Sequence, residues 1–313
     1  MTGERWPVWR LSRGDRGYPS ALLDLERTTP PGTAPAVLFG RGDRRLVAGL
    51  RHDRTVTIVG SRRASSYGLG VAEELGRLLA AAGLVVVSGM ARGIDAAAHR
   101  GALAAGGPTI AVLACGPDVV YPRGERPLYR RIVGTGAVVS EAPPGRLPES
   151  WSFPVRNRIM AALGAMTVVV EAAQPSGSLI TADQALRLDR ELGAVPGPVT
   201  SRASEGANQL LADGAAPVRG AQDVLDRLLG VGARAAARVG APLEPELARV
   251  AELVERGSET CDAVAAASGI APADAAVALG RLELLGYLRV DADGRYARTA
   301  LVAPDRGPAR PLR

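Results

Sequence analysis

The chain has 313 residues, long for one typical domain and short for three large ones, so one dominant domain with smaller attachments is expected. Its apolar residues are mainly Ala, Val and Leu with only two Phe, which calls for a core of small aliphatic side chains, as where Val-rich strands pack under Ala-rich helices. The formal charge is +6 and the sequence contains no lysine, so all 38 basic side chains are arginines; Schiff-base chemistry and a P-loop lysine are excluded.

In chain order, residues 1–51 are short and rich in turn signals, with PPGTAP and FGRGD segments, and read as an N-terminal appendage packed on the larger domain beyond it. Residues 52–229 alternate strand and helix. Short β-branched runs at 55–60, 84–88, 109–114, 137–141 and 166–171 each lead through Gly or polar residues into an Ala/Leu segment of helical period. That alternation predicts an α/β fold, an extended Rossmann-like, doubly wound and mostly parallel sheet. Helices at about 179–192 and 221–229 are expected to close it. A linker rich in Gly, Ala and Arg spans 230–243, and residues 244–300 give helical segments at 244–256, 261–268 and 272–285, followed by YLRV, a DADG turn and RYAR. Three helices and a hairpin in that order predict a small C-terminal winged-helix domain. Residues 301–313 are expected to be a disordered tail.

Cys115 and Cys261 lie far apart and offer neither a disulfide framework nor a metal-binding pair, which points to a reducing compartment. No basic and apolar leader pattern opens the chain, and Arg, Asp, Pro or Gly interrupts every apolar stretch. A soluble, cytoplasmic protein without membrane insertion is the expectation.

Ligands of an open parallel sheet meet the carboxyl ends of its strands, where loops lead into helix N-termini. The first such loop is GSRRASSYG. Gly60 permits close backbone approach, Ser61 offers a hydroxyl and an amide, and Arg62 with Arg63 grip phosphate or else face solvent. The second, SGMARGIDAAAH, carries Gly89 and Gly93 at a tight turn, with Asp95 and His99 read as structural groups. Tyr121 and Arg123 follow the third strand. After the fourth, FPVRNR places Phe153, Arg156, Asn157 and Arg158 at the start of a helix, so charge and an aromatic face adjoin; Phe153 alternatively staples the helix to the core. After the fifth, Ser176, Gly177 and Ser178 make a small anion-binding nest or a pair of helix-capping serines. Residues 121–158 hold seven arginines against three glutamates, whereas 244–298 hold six arginines against ten acids. The acidic balance argues against major-groove reading by the winged helix and favours a protein contact there.

GSRRASSYG, SGMARGIDAAAH, VLACGPDVVYP, SEAPPG, FPVRNRIMAALG, EAAQPSGSLITADQAL and GAVPGPV, in this order, resemble the DprA/Smf family over about residues 18–229. The resemblance implies a non-enzymatic protein that binds and protects incoming single-stranded DNA during natural transformation and helps load RecA recombinase onto it, acting as a homodimer without a cofactor. It places the binding site at Arg62, Phe153, Arg156, Asn157 and Arg158. Two departures stand out: positions that are lysine in many relatives are arginine here, and a short segment stands where longer relatives carry an N-terminal helical domain. The alternative is a nucleotide-processing enzyme of the lysine-decarboxylase-like Rossmann group, with Glu171 and Asp95 as acid and base, but the PGGxGT loop of that group is replaced by PSGSLIT.

Overall fold

Short runs of Val, Ile and Thr form the middle of a sheet in a computed structural model that describes residues 6–28, 33–231, 238–239, 243–290, 294–299 and 301–302. The chain divides into two units, Met1–Ala235 and Ala236–Arg313.

In the first unit, strands β1 (Trp9–Ser12) and β2 (Val37–Gly42) and helix α1 (Arg44–Ala48) lead into β3 (Thr55–Val59). Then come α2 (Ser66–Ala81), β4 (Val85–Ser88), α3 (Ile94–Ala104), β5 (Thr109–Val112), α4 (Arg126–Thr135), β6 (Ala137–Ser140), α5 (Ser152–Leu163), β7 (Met166–Val169) and α6 (Gly177–Arg187). The unit closes with β8 (Glu191–Ala194), α7 (Glu205–Ala212), β9 (Ala216–Pro217) and α8 (Ala221–Leu229). The nine strands lie in the order β1-β2-β6-β5-β4-β3-β7-β8-β9. Pairings from β6 across to β9 are parallel, whereas β2 joins β6, and β1 joins β2, antiparallel. Succession runs outward from β3 through β4, β5 and β6, then restarts at β7 on the other side of β3, so the strand order reverses between β3 and β7. Such a reversal opens a crevice at the carboxyl ends.

Every residue of β3 to β7 is buried, because helices cover both faces and each strand must be apolar on both sides. Val86 and Val168 face the layer of α2, α3 and α8, while their neighbours Val85, Val87 and Val169 face the layer of α5 and α6.

Two parts of this unit differ from the expectation. Residues 191–192, expected to end a helix, instead open β8, which lies beside β7. The helix stops because Asp189 adopts a left-handed φ of 53° and turns the chain back toward the sheet. The N-terminal segment, expected as an appendage, supplies two strands and the buried Leu11, Leu22, Leu25 and Leu38. Its β2 passes under Trp9 at Gly40, where a Cβ would sit 2.3 Å from the indole.

The second unit has β10 (Arg238–Val239), α9 (Pro245–Glu255), α10 (Cys261–Ser268), α11 (Pro272–Leu284), β11 (Leu288–Val290), β12 (Tyr296–Arg298) and β13 (Leu301–Val302). The three helices and the antiparallel β11–β12 pair follow the winged-helix order. They close over Leu247, Val250, Val254, Val264, Leu279, Leu282 and Tyr287. Thr260 caps α10 by accepting from Ala263 N, and Gly269 ends it at φ 74°. Arg281, the one base on α11, is tied to Glu244. Most of the linker expected over 230–243 and of the tail expected over 301–313, with residues 291–293 of the expected turn, lies outside the described residues.

Candidate nucleic-acid interface

The β3 loop is held from below. Ser61 N donates to Glu171 O at 2.7 Å and Ser61 O accepts from Ile94 N at 3.2 Å, which fixes the backbone against β7 and α3. Gly60 has no room for a side chain, since a Cβ would lie 2.6 Å from Ile94 and 2.8 Å from Glu171 O. Ser65 caps α2 through Gly68 N, and the buried Glu171 carboxylate takes both the backbone and hydroxyl protons of Ser65. With the loop so pinned, Arg62 and Arg63 project outward and are exposed.

The β4 loop is built around a carboxylate. Asp95 Oδ2 accepts from Gly89 N at 3.2 Å and Ala91 N at 3.3 Å. Gly93, at φ 79°, passes so close to the β3 loop that a Cβ would stand 2.2 Å from Ser61 O. Burial pushes the Asp95 carboxyl up, and Arg156 together with the two amides works against that rise. Arg156 is itself buried, 6% exposed, and burial lowers its guanidinium to about 10, against the pull of Asp95. It remains charged at neutral pH. Its Nη1 donates to Gly89 O at 2.8 Å and to Val112 O, so one side chain from α5 bridges the carboxyl ends of β4 and β5. Gly89 is a glycine because a Cβ there would lie 2.3 Å from that guanidinium.

The remaining candidates fall into place around this frame. Asn157 Nδ2 donates to Gly177 O at 3.1 Å, locking α5 to the start of α6. Ser176 is the N-cap of α6, accepting from Ser178 N, and the two hydroxyls share a hydrogen bond of 2.7 Å. Arg158 turns away: its guanidinium grips both oxygens of Glu141 at 2.9 and 2.8 Å and Thr33 O at 3.0 Å. The FPVRNR arginines thus lie in the second turn of α5, which begins at Ser152, with one buried as a strut and the other in an ion pair. Phe153 is half-buried rather than a core residue, and Arg62 stacks over its ring at 5.0 Å while Tyr121 tilts against it at 5.6 Å.

Two adjoining hollows, of about 850 and 660 Å³, share Arg62, Arg63, Ala91, Tyr121, Phe153 and Arg156 and form one cleft along the carboxyl edge of the sheet. Gly60, Ser61, Asn157, Ser176, Gly177 and Ser178 line one end, and Gly89 and Arg123 the other. Arg92 and Arg202 also line it, and sequence reasoning passed over both. Arg92 stood in plain view inside SGMARGID; Arg202 follows β8, the strand that was not foreseen. Some exposed arginines elsewhere sit on carboxylates, such as Arg51 on Asp53, Arg146 on Glu149 and Arg219 on Asp223. Arg62, Arg63, Arg92, Arg123 and Arg202 have no ion pair among the described residues. Five uncompensated cations, an aromatic pair and a capped helix N-terminus make a surface suited to phosphates with bases attached. Among the described residues no group of three His, Cys, Asp or Glu is arranged to hold a metal ion.

Comparison with known proteins locates this architecture. The profile of the family described as DNA recombination-mediator protein A matches residues 9–229. A Mycobacterium tuberculosis protein named putative DNA processing protein DprA is 43% identical over 278 residues, covering 86% of this chain and 70% of its own. The crystal structure of Streptococcus pneumoniae DNA processing protein A superposes with a TM-score of 0.63 at 38% identity, over 71% of this chain and 74% of that one. A Helicobacter pylori DNA processing protein A, whose structure is described for its single-stranded DNA binding mode, gives 0.63 at 30% identity, over 72% of this chain and 97% of that one.

Proposed function

This chain belongs to the DNA recombination-mediator protein A family, and from that premise we propose that it binds single-stranded DNA in the arginine-lined cleft without doing chemistry on it. The observation that carries the reading is the gathering of Arg62, Arg63, Arg92, Arg123 and Arg202, none neutralised by a carboxylate among the described residues, around the Tyr121–Phe153 pair. Arginines neutralise successive phosphates while the rings offer a face to the bases, a combination that tolerates any sequence and prefers strands whose bases are free. Arg156, Asn157 and Asp95 hold the loops in register beneath the strand.

The bound strand is protected from nucleases and handed to the RecA recombinase during uptake of transforming DNA in the cytoplasm, with the protein acting as a homodimer. The second unit, whose described arginine on α11 is occupied by Glu244, serves a protein contact. The Helicobacter pylori relative supports the single-strand assignment, and the cleft chemistry is what supports it in this chain.

Anisotropy titration of labelled single-stranded and duplex oligonucleotides across a salt series tests the reading. The informative variant is Arg62→Ala with Arg123→Ala, because both side chains are exposed and neither holds the fold, unlike Arg156. The expected result is a single-strand preference whose dependence of log K on log salt becomes shallower by roughly 0.7 for each lost phosphate contact. Equal affinity for duplex of the same length, or a slope the variant leaves unchanged, overturns it.

A further inference from the structure

Beside the cleft, between the β6 loop and α5, lies an apolar groove of about 400 Å³ lined by Leu113, Leu147, Trp151, Val155 and Ile159. Trp151 is 57% and Leu147 67% exposed, although both are large apolar side chains on a protein with few aromatics. The indole N–H donates to Glu149 Oε2 at 2.7 Å, which anchors the polar edge of the ring and leaves a face bare. The two carboxylates nearby are neutralised, Glu141 by Arg158 and Glu149 by Arg146, so the groove rim does not repel an anion. Leu113, Ala114, Leu147 and Arg156 line both the groove and the cleft, so the two are continuous.

We propose that this groove is a seat for one nucleobase turned out of the single strand that lies along the cleft, with the Trp151 indole as its stacking platform. The occupant is set by three features: size, because a hollow of this volume takes a small planar ring system; chemistry, because an aromatic face and aliphatic walls accept any base without reading its edge; and position, because the neighbouring cleft holds the phosphates to which the base is attached. The seat adjoins the part of the cleft lined by Gly89 and Arg123 rather than the part that holds the serine nest, so it lengthens the track along which the strand is held. The inference rests on the single-strand reading above.

The test compares two labelled oligonucleotides of equal length and charge, one of thymidines and one with every base removed, against the full chain carrying Trp151→Ala or Trp151→Phe. Removing the indole is expected to weaken binding of the base-bearing strand at least about fivefold, to leave the abasic strand and the salt slope as in the wild type, and to be largely reversed by Phe. Unchanged affinity of the Ala variant for the base-bearing strand overturns the proposal and leaves the groove to a protein segment. An equal loss on both strands also overturns it, since Trp151 would then act on the fold or the backbone path. A wild type that binds neither strand instead brings down the single-strand reading itself, and this proposal with it.

Discussion

The His99 ring is wholly buried, and its protonation state can be read from its neighbours. Thr109 Oγ1 donates to Val86 O at 2.7 Å, so it accepts the proton of His99 Nδ1 at 2.7 Å, and Nε2 is bare and without a hydrogen-bond partner among the described residues. Charging the ring would put a proton on Nε2 in a dry interior. Burial first, then Arg156 and Arg100, hold its pKa at about 3. The unfolded chain takes up that proton below about 6.5 while the folded one does not, so stability is intact above that pH and is lost as the pH falls toward 3. Urea unfolding between about pH 6 and 4 should show wild-type stability falling more steeply than that of His99→Asn, by up to about 1.4 kcal/mol per pH unit. Asp95, whose carboxyl burial pushes up, works in the opposite sense in both proteins and cancels from the comparison. Parallel slopes would show that His99 does not stay neutral inside the fold.

Helices α2 and α3 touch backbone to backbone. A Cβ on Gly76 would lie 2.2 Å from Ala98 O, and one on Gly101 only 1.9 Å from Glu73 O. These helices begin where the β3 and β4 loops end, so their spacing also sets the spacing of Arg62 and Arg92. Gly101→Ala should force them apart, lowering stability by about 1–3 kcal/mol and weakening binding of single strands; an unshifted thermal melt would contradict the close packing. At this scale much of the fold was legible. Strands β3 to β7 stood out because burial on both faces demands unbroken β-branched runs, and the three helices of the second unit because their apolar spacing is regular. Strand β8 was hidden because Glu191–Ala194 holds no β-branched residue and the chain turns at Asp189, just past the end of α6, with no glycine to mark the turn. Strands β1 and β2 were hidden by the turn signals around them.

Across the whole molecule the charge is uneven. The first unit carries 28 arginines against 21 acids, and the second ten against eleven. A chain ending at Ala235 should therefore bind single strands as tightly as the full chain, as judged by the same anisotropy titration, because the segment removed adds no net positive charge. A marked loss would assign DNA contacts to the second unit. The location of the cleft was legible too, since parallel strands deliver their loops to one edge. The fates of individual arginines were not. Arg62, Arg156 and Arg158 read alike in the sequence, yet the first is exposed, the second is buried against Gly89 O and Val112 O, and the third is claimed by Glu141 from another loop. Such assignments depend on partners brought in by the tertiary fold.

The arginines gathered along the cleft, which have no ion pair among the described residues, also bear on how the protein melts. Like charges held side by side repel, so the clustered guanidinium groups subtract from the stability of the first unit, and a polyanion bound to them in preference to the unfolded chain would offset that repulsion. On the single-strand reading, part of this protein's resistance to heat then comes from the bound strand. The melting temperature should then serve as an unlabelled gauge of occupancy, rising with oligonucleotide concentration and relaxing again as salt displaces the strand.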